Sequence, residues 1–264
     1  MKLAFMTFSC PELTLEQVLA LAEKYGYEGV EFRTVSKHKH GIEPYISQKE
    51  ILEAKAVIDA SPVEAVAIAT SCKFADPGTV GENMKSAEAA IDLAAALEIP
   101  VIRTFGGAYP ADITKEQAIA CLVDSYGKLG EYAQKNKVTV CFETHDSWCN
   151  PHDVASIIKQ VNNEYVAINW DIMHPITHGH NMVEAFEAVK PYIKHVHVHD
   201  GIQDETGKRL LAPIGTGYVD HKIALDCLKS IDYKGAISGE WISWEPYEIH
   251  LPRELKTLRQ YLGK

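Results

Sequence analysis

The chain of 264 residues has no long uninterrupted apolar run, and so no candidate for a membrane-crossing helix. Its opening "MKLAFMTFSC" lacks the extended apolar core and small-residue cleavage site of a secretory leader. The stretch alternates, and reads as a first strand. There is no C-x-x-C pair: Cys10, Cys72, Cys121, Cys141, Cys149 and Cys227 are scattered, and Cys141 sits in an apolar run. This argues for free thiols in a reducing cytoplasm rather than a disulfide framework. Basic runs are scarce too. Apart from "SKHKHG" no Lys/Arg cluster occurs, and the formal net charge is −10, so a nucleic acid or other polyphosphate held by charge is a poor partner. No G-x-G-x-x-G follows the first strand, which removes the usual mark of an open doubly wound nucleotide-binding sheet. Linkers, repeats and low-complexity segments are also missing.

What is present is a strict alternation. Short apolar runs "KLAFMTF", "YEGVEFR", "VEAVAIAT", "IPVIRTF", "VTVCFETH", "YVAINWD", "IKHVHVH" and "GAISGEW" read as eight strands. Amphipathic stretches near 14–25, 47–60, 80–97, 114–135, 152–162, 181–190, 220–230 and 250–262 read as helices, several with capping signals such as Thr14 with Gln17 and Thr114 with Gln117. Eight strand–helix units in a chain 46% hydrophobic predict a single (β/α)8 barrel spanning 1–264. "PIGTGYVDH" could aim amides at a phosphate, but a plain turn is the better reading of a lone G-x-G.

In such a barrel, chemistry gathers at the C-terminal strand ends. The fifth strand ends in Glu143, the sixth in Asp171, the seventh in His197 and His199, and the eighth in Glu240. Residues two apart share a face, so each of these falls with small or polar neighbours and points inward. Three carboxylates converging without a cation would repel one another. A divalent metal removes that cost, and the oxygen-rich set suits Mn²⁺, Mg²⁺ or Co²⁺, with zinc a further option. "HVHVH" cannot give three ligands to one ion, because alternate strand residues stand roughly 7 Å apart. His197 is the expected ligand, His195 lies deeper and orients a ligand, and His199 faces the substrate.

The motifs "GYEGVEFR", "VIRTFGG", "CFETH", "INWDIMH", "HVHVHD", "PIGTGYVD" and "YKGAISGEW" resemble, in order and over nearly the whole chain, the xylose-isomerase-like TIM-barrel family of sugar isomerases and epimerases, inosose dehydratases and the endonuclease IV branch. The resemblance implies one divalent metal bound by Glu143, Asp171, His197 and Glu240, with His174 beside the substrate. It also implies that Glu143 and Glu240 double as the acid/base pair. The endonuclease branch has further histidines at the third and fourth strand ends; "ATSCKF" and "RTFGGA" have none.

Among the remaining residues, Arg33 and Arg103 either bind a substrate carboxylate or hydroxyl or neutralise the mouth, with Glu31 as a candidate partner for Arg33. His145 is expected to reach substrate. His38, His40 and Lys73 sit in loops over the mouth and read as solvated loop residues in preference to substrate contacts, and Trp148 and Trp241 read as pocket walls or rim packing. The expected function is a cytoplasmic, metal-dependent isomerase or epimerase of a small carbohydrate hydroxy-ketone, working by proton abstraction through a metal-stabilised enediolate. The alternatives are a dehydratase (lyase) of a cyclic hydroxy-ketone such as an inosose or dehydroshikimate, and a non-catalytic sugar- or metal-binding barrel. Relatives of this kind are often dimers or tetramers, which leaves room for a homo-oligomer, although no residue marks an interface.

Overall fold

The computed structural model describes residues 1–264. Eight strands, β1 (Lys2–Met6), β2 (Gly29–Arg33), β3 (Glu64–Lys73), β4 (Val101–Phe105), β5 (Thr139–Glu143), β6 (Val166–Asp171), β7 (Ile193–Val198) and β10 (Ala236–Gly239), form one parallel barrel. Closure is complete because β1 pairs with β2 on one side and β10 on the other. Between β7 and β10 lies an antiparallel hairpin, β8 (Asp200–Gln203) and β9 (Arg209–Ala212), which the apolar pattern did not announce.

The helices are α1 (Leu15–Tyr25), α2 (Gln48–Asp59), α3 (Val80–Ala96), α4 (Lys115–Asn136), α5 (Pro151–Val161), α6 (Met173–Thr177), α7 (Met182–Val189), α8 (His221–Ser230) and α9 (Tyr247–Leu262). Thr14, Ser47 and Thr114 each accept the N–H three residues on, while Gln17, Glu50 and Gln117 reach back to the cap N–H, so α1, α2 and α4 begin with both donors satisfied. The single turn α6 was not expected from the sequence. Its start is fixed by Asp171, whose Oδ1 accepts the N–H of Met173 at 2.8 Å and of His174 at 3.1 Å.

Alternation sorts the strands as expected. Phe5, Val30, Phe32, Ile68, Ile102, Val140, Phe142, Ile168, Trp170, Val196, Val198 and Ile237 join the large apolar cluster with the helices. The opposite faces contribute two small clusters, Ala67, Val101, Cys141 and Ala167, and Ala4, Val66 and Ala236. Small side chains near the bottom of the barrel leave its upper interior free for charged groups.

The "PIGTGYVD" segment is a turn held by Asp200. Its Oδ2 accepts the N–H of Gly215 (3.0 Å) and Gly217 (2.9 Å), and its Oδ1 those of Gly201 (2.9 Å) and Val219 (3.2 Å). The glycine amides are already satisfied by this carboxylate, so the segment is the plain turn expected of it rather than a phosphate cradle. All six cysteines are free, and no helix is long and apolar enough to cross a membrane. Replacing Asp200 with Ala strands four backbone donors and should lower stability by at least about 3 kcal/mol in urea unfolding.

Candidate metal centre and active site

Strand register brings the predicted ligands to one level. Asp171 sits opposite His197 across the β6–β7 ladder, and His197 opposite Ser238 of β10. One donor atom from each of Glu143, Asp171, His197 and Glu240 lies within 4.8 Å of the others. The first three side chains are fully buried, and Glu240 is 7% exposed.

His197 is held from both sides. Its Nδ1 is 2.7 Å from Glu143 Oε1 and 3.5 Å from Glu240 Oε2, while its Nε2 is 3.1 Å from both oxygens of Glu31. Glu31 Oε2 also accepts from His195 Nε2 at 2.9 Å. Glu31 therefore does not pair with Arg33 as the sequence suggested; it bridges the two strand histidines. Burial pushes its carboxyl up, but His197 and His195 outweigh this and hold it well below the usual range. Burial likewise pushes His197 down, and Glu31 and Glu143 lift it well above ordinary histidine. His195 occupies the deeper position expected of it, but its partner is Glu31 rather than a ligand.

Both mouth arginines turn inward. Arg103 is 1% exposed, with Nε 3.3 Å from Glu143 Oε2 and Nη2 3.8 Å from Glu240 Oε1, and Nη1 donates to the Thr70 carbonyl at 2.8 Å. Arg33 donates to the carbonyls of Thr34 and Ala69 and to Ser71 Oγ. Burial, with help from Arg103, lowers Arg33 to about 10. Of the two roles open for these arginines, the geometry matches neutralisation for Arg103 and loop anchoring for Arg33; neither lines the cavity described below.

Glu143 Oε2 is buried without a hydrogen-bond partner, as is Arg103 Nε beside it, the two being misaligned. An unsatisfied buried oxyanion is costly. A cation among the four donors removes the cost, and three carboxylates with one imidazole fit a divalent ion.

A second set, Asp171, His174 and His199, shares Asp171 with the first. His199 Nε2 is 2.8 Å from Asp171 Oδ2, and His174 Nε2 is 3.9 Å from it. Burial works against charge on His199, yet Asp171 raises it; for His174 burial prevails and lowers it. His145 packs edge-on against His174 at 4.2 Å between centroids, and its Nδ1 is 2.9 Å from Asp146 Oδ1. Burial is outweighed there by Asp146 and Glu143, so His145 is raised.

Above these groups opens a cavity of about 250 Å³ lined by His145, Met173, His174, His199, Arg209, Leu210, Tyr218, Glu240 and Ile242 among others. The sequence reading found its three histidines and Glu240. It missed Arg209, Leu210 and Tyr218, because it placed no hairpin after β7. The usable signal was "DETG", where Asp204 Oδ1 accepts the N–H groups of Thr206 and Lys208 and Gly207 takes φ 81°.

His38 and His40 differ from expectation: they are 9% and 5% exposed, not solvated. His40 Nδ1 accepts the Ile42 N–H at 3.0 Å, so its Nε2–H donates to Thr7 Oγ1 at 3.3 Å. Thr7 also accepts the Arg33 N–H at 2.9 Å and faces His38 Nδ1 at 3.2 Å. Lys73 is exposed. Trp148 donates to the Gly107 carbonyl at 2.8 Å, and its ring lies 2.2 Å from where a Cβ on Gly106 would be. Trp241 covers Gly239 in the same way. Both are fully buried supports beneath the mouth.

A closed parallel barrel with carboxylate and imidazole donors converging at the C-terminal strand ends defines the class of protein. Residues 19–261 match the family described as Xylose isomerase-like TIM barrel, and the chain belongs to it. Two curated relatives match over part of their length. An uncharacterized protein of Methanocaldococcus jannaschii is 35% identical over 34% of this chain and 30% of its own. A protein named Probable endonuclease 4, from Metamycoplasma arthritidis, is 29% identical over 54% and 56%. The chain thus spans from under a third to just over half of these relatives. Solved structures match throughout. IOLI protein with a bound zinc atom superposes with TM-score 0.82 at 20% identity, covering 99% of this chain and 96% of that one. The probable 3-DHS dehydratase AsbF of Bacillus anthracis gives 0.79 at 20%, covering 98% of each chain. A D-tagatose 3-epimerase-like protein gives 0.78 at 20%, covering 100% and 97%.

Burial and His38 together push His40 down to about 3. Between about pH 6.5 and pH 3 the unfolded chain therefore binds a proton that the folded chain refuses, and stability falls as pH drops through that window. A His40→Gln variant, which keeps a donor for Thr7, should lose less on acidification, by on the order of 1 kcal/mol per pH unit between pH 5.5 and 4 in urea titrations.

Proposed function

We propose that the chain is a divalent-metal-dependent isomerase or epimerase of a small hydroxy-ketone, with Glu143, Asp171, His197 and Glu240 as metal ligands. The observation that carries this is the convergence of those four donors within 4.8 Å beneath a cavity that Glu240 lines. When bound, a divalent ion supplies Lewis acidity toward a carbonyl and its neighbouring hydroxyl, worth several kcal/mol. Mn²⁺ or Mg²⁺ suits the donor set best. The names of the superposed structures, an epimerase-like protein and a zinc-binding one among them, support the same class.

The residues divide the work by position. Glu240 is the one member of the four that lines the cavity, so it is the group that takes the proton next to the carbonyl. Returned to the adjacent carbon by the same carboxylate, that proton gives an isomer. Epimerisation asks a second group to serve the opposite face; the family resemblance assigns this to Glu143, whose side chain lies beneath the cavity and against Arg103. His145, His174 and His199 offer imidazoles to substrate hydroxyls along one wall. Glu31 accepts from His197 Nε2, so with a metal at Nδ1 the remaining ring proton would stay on Nε2 and orient the imidazole.

A lyase acting on a cyclic hydroxy-ketone is the second reading. The imidazoles beside Glu240 favour it, since a departing hydroxyl there has a proton donor at hand, and the superposition on a dehydratase lends support. Phosphodiester cleavage finds less: the net charge is −10, and no histidine stands at the β3 or β4 ends.

The test of the reaction is mass spectrometry of ketoses, ketose phosphates and cyclic hydroxy-ketones incubated in D₂O with Mn²⁺-loaded protein. Gain of one deuterium supports isomerase or epimerase, loss of water supports the lyase, and no change with any compound counts against both. Glu240→Gln should lower kcat by about 10²–10⁴ with unchanged circular dichroism. Glu31→Gln should weaken Mn²⁺ binding by about 10–100-fold in calorimetry; unaltered affinity would remove Glu31 from the centre.

A further inference from the structure

The chain has five arginines, and four are engaged by the protein. Arg33 and Arg103 are bound as described. Arg253 pairs with Glu245 at 2.7 Å and Glu254 at 2.6 Å, and Arg259 donates to the Gly26 carbonyl at 2.7 Å. Arg209 alone has no hydrogen bond or ion pair, and it lines the cavity.

The backbone that carries Arg209 is anchored, while its side chain is exposed at the rim of the cavity. Arg209 opposes Gln203 in the β8–β9 ladder, whose base is pinned by Asp200 and whose turn is held by Asp204. The cavity lining is mixed, with Met173, Leu210, Leu211, Tyr218 and Ile242 beside the imidazoles of His145, His174 and His199. Two carboxylates also line the cavity, and both are occupied. Asp200 accepts four backbone amides, and Glu240 faces His197 and Arg103. A guanidinium stays charged at any physiological pH and presents a planar fork that matches carboxylate or phosphate oxygens.

We propose that Arg209 recognises an anionic group, so that the substrate is a compact hydroxy-ketone carrying a carboxylate or phosphate away from its reacting carbons. This rests on the isomerase, epimerase or lyase reading of the same cavity and narrows its substrate class. A cavity of about 250 Å³ lies below the usual range for drug-sized ligands, which favours a small acid over an extended sugar.

Two pairs of probes differing in charge test the proposal: 3-dehydroshikimate against its methyl ester, and D-fructose 6-phosphate against D-fructose. Binding to Mn²⁺-loaded protein is measured by calorimetry, alongside deuterium incorporation or water loss. At least one anion should bind roughly tenfold more tightly than its neutral partner. The preference should collapse in Arg209→Met, survive in part in Arg209→Lys, and shrink at high salt. Which pair responds tells carboxylate from phosphate. Equal binding of both members of each pair, or an anion preference unchanged in Arg209→Met, would overturn the proposal; turnover of a neutral probe would then leave the proposed function standing. If no probe binds or reacts, the proposed function fails and the role of Arg209 fails with it.

Discussion

Four buried carboxylates, Glu31, Glu143, Asp171 and Glu240, share the interior of one barrel, and the arrangement around them is a response to that crowding. Two like charges about 4 Å apart repel by about 4 kcal/mol even at an effective dielectric constant near 20. Compensation comes from Arg103 against Glu143 and Glu240, from His195 and His197 against Glu31, and from His199 against Asp171. Glu143 Oε2 lies 3.3 Å from Arg103 Nε but takes no hydrogen bond, so its compensation there is by charge alone. Four donor atoms within 4.8 Å of one another are what make the centre a candidate cation site.

The lower barrel is filled mostly by small residues, with Val66 and Val101 the two branched ones. Ala67, Cys141 and Ala167 lie inward on the same strand faces that carry Ala69, Glu143 and Asn169 one step higher. Bulky branched residues in those positions would occupy the space that Glu31 and His195 need. Outside the strands the large side chains pack against the helices, and they hold the strand ends in register while the interior remains polar. Stability is thus supplied mainly by the outer layer, and the inner one is left to chemistry.

At the mouth, loops anchored by single side chains set the cavity's shape. Asp200 gathers four amides and fixes the β8–β9 hairpin, Trp148 and Trp241 brace the floor through close contacts with Gly106 and Gly239, and Thr7 ties His38 and His40 to β2. These are positioning devices. Asp200 holds the segments that bring Arg209 and Tyr218 to the cavity the histidines also line, so part of the wall that would select a substrate is built on a support distinct from the donor cluster.

Much was legible in the sequence because it depends on local periodicity. Period-two alternation identified all eight barrel strands, capping signals located helix starts, and the inward face of each strand end followed from residue parity alone. Glu143, Asp171, His197 and Glu240 could be picked for that reason. Other features depend on which strands become neighbours, and no local pattern encodes that. Glu31 lies 164 residues from His195, and only closure of the barrel brings its carboxylate between two imidazoles instead of beside Arg33. Arg103 was open to either role until the same closure set it against Glu143 and Glu240. His38 and His40 looked like solvated loop residues because exposure is a property of the packed molecule. The sequence by itself determined the repeating unit and the direction each side chain faces; the tertiary structure alone decided its partners, because contacts across a closed barrel are fixed by register and shear rather than by distance along the chain.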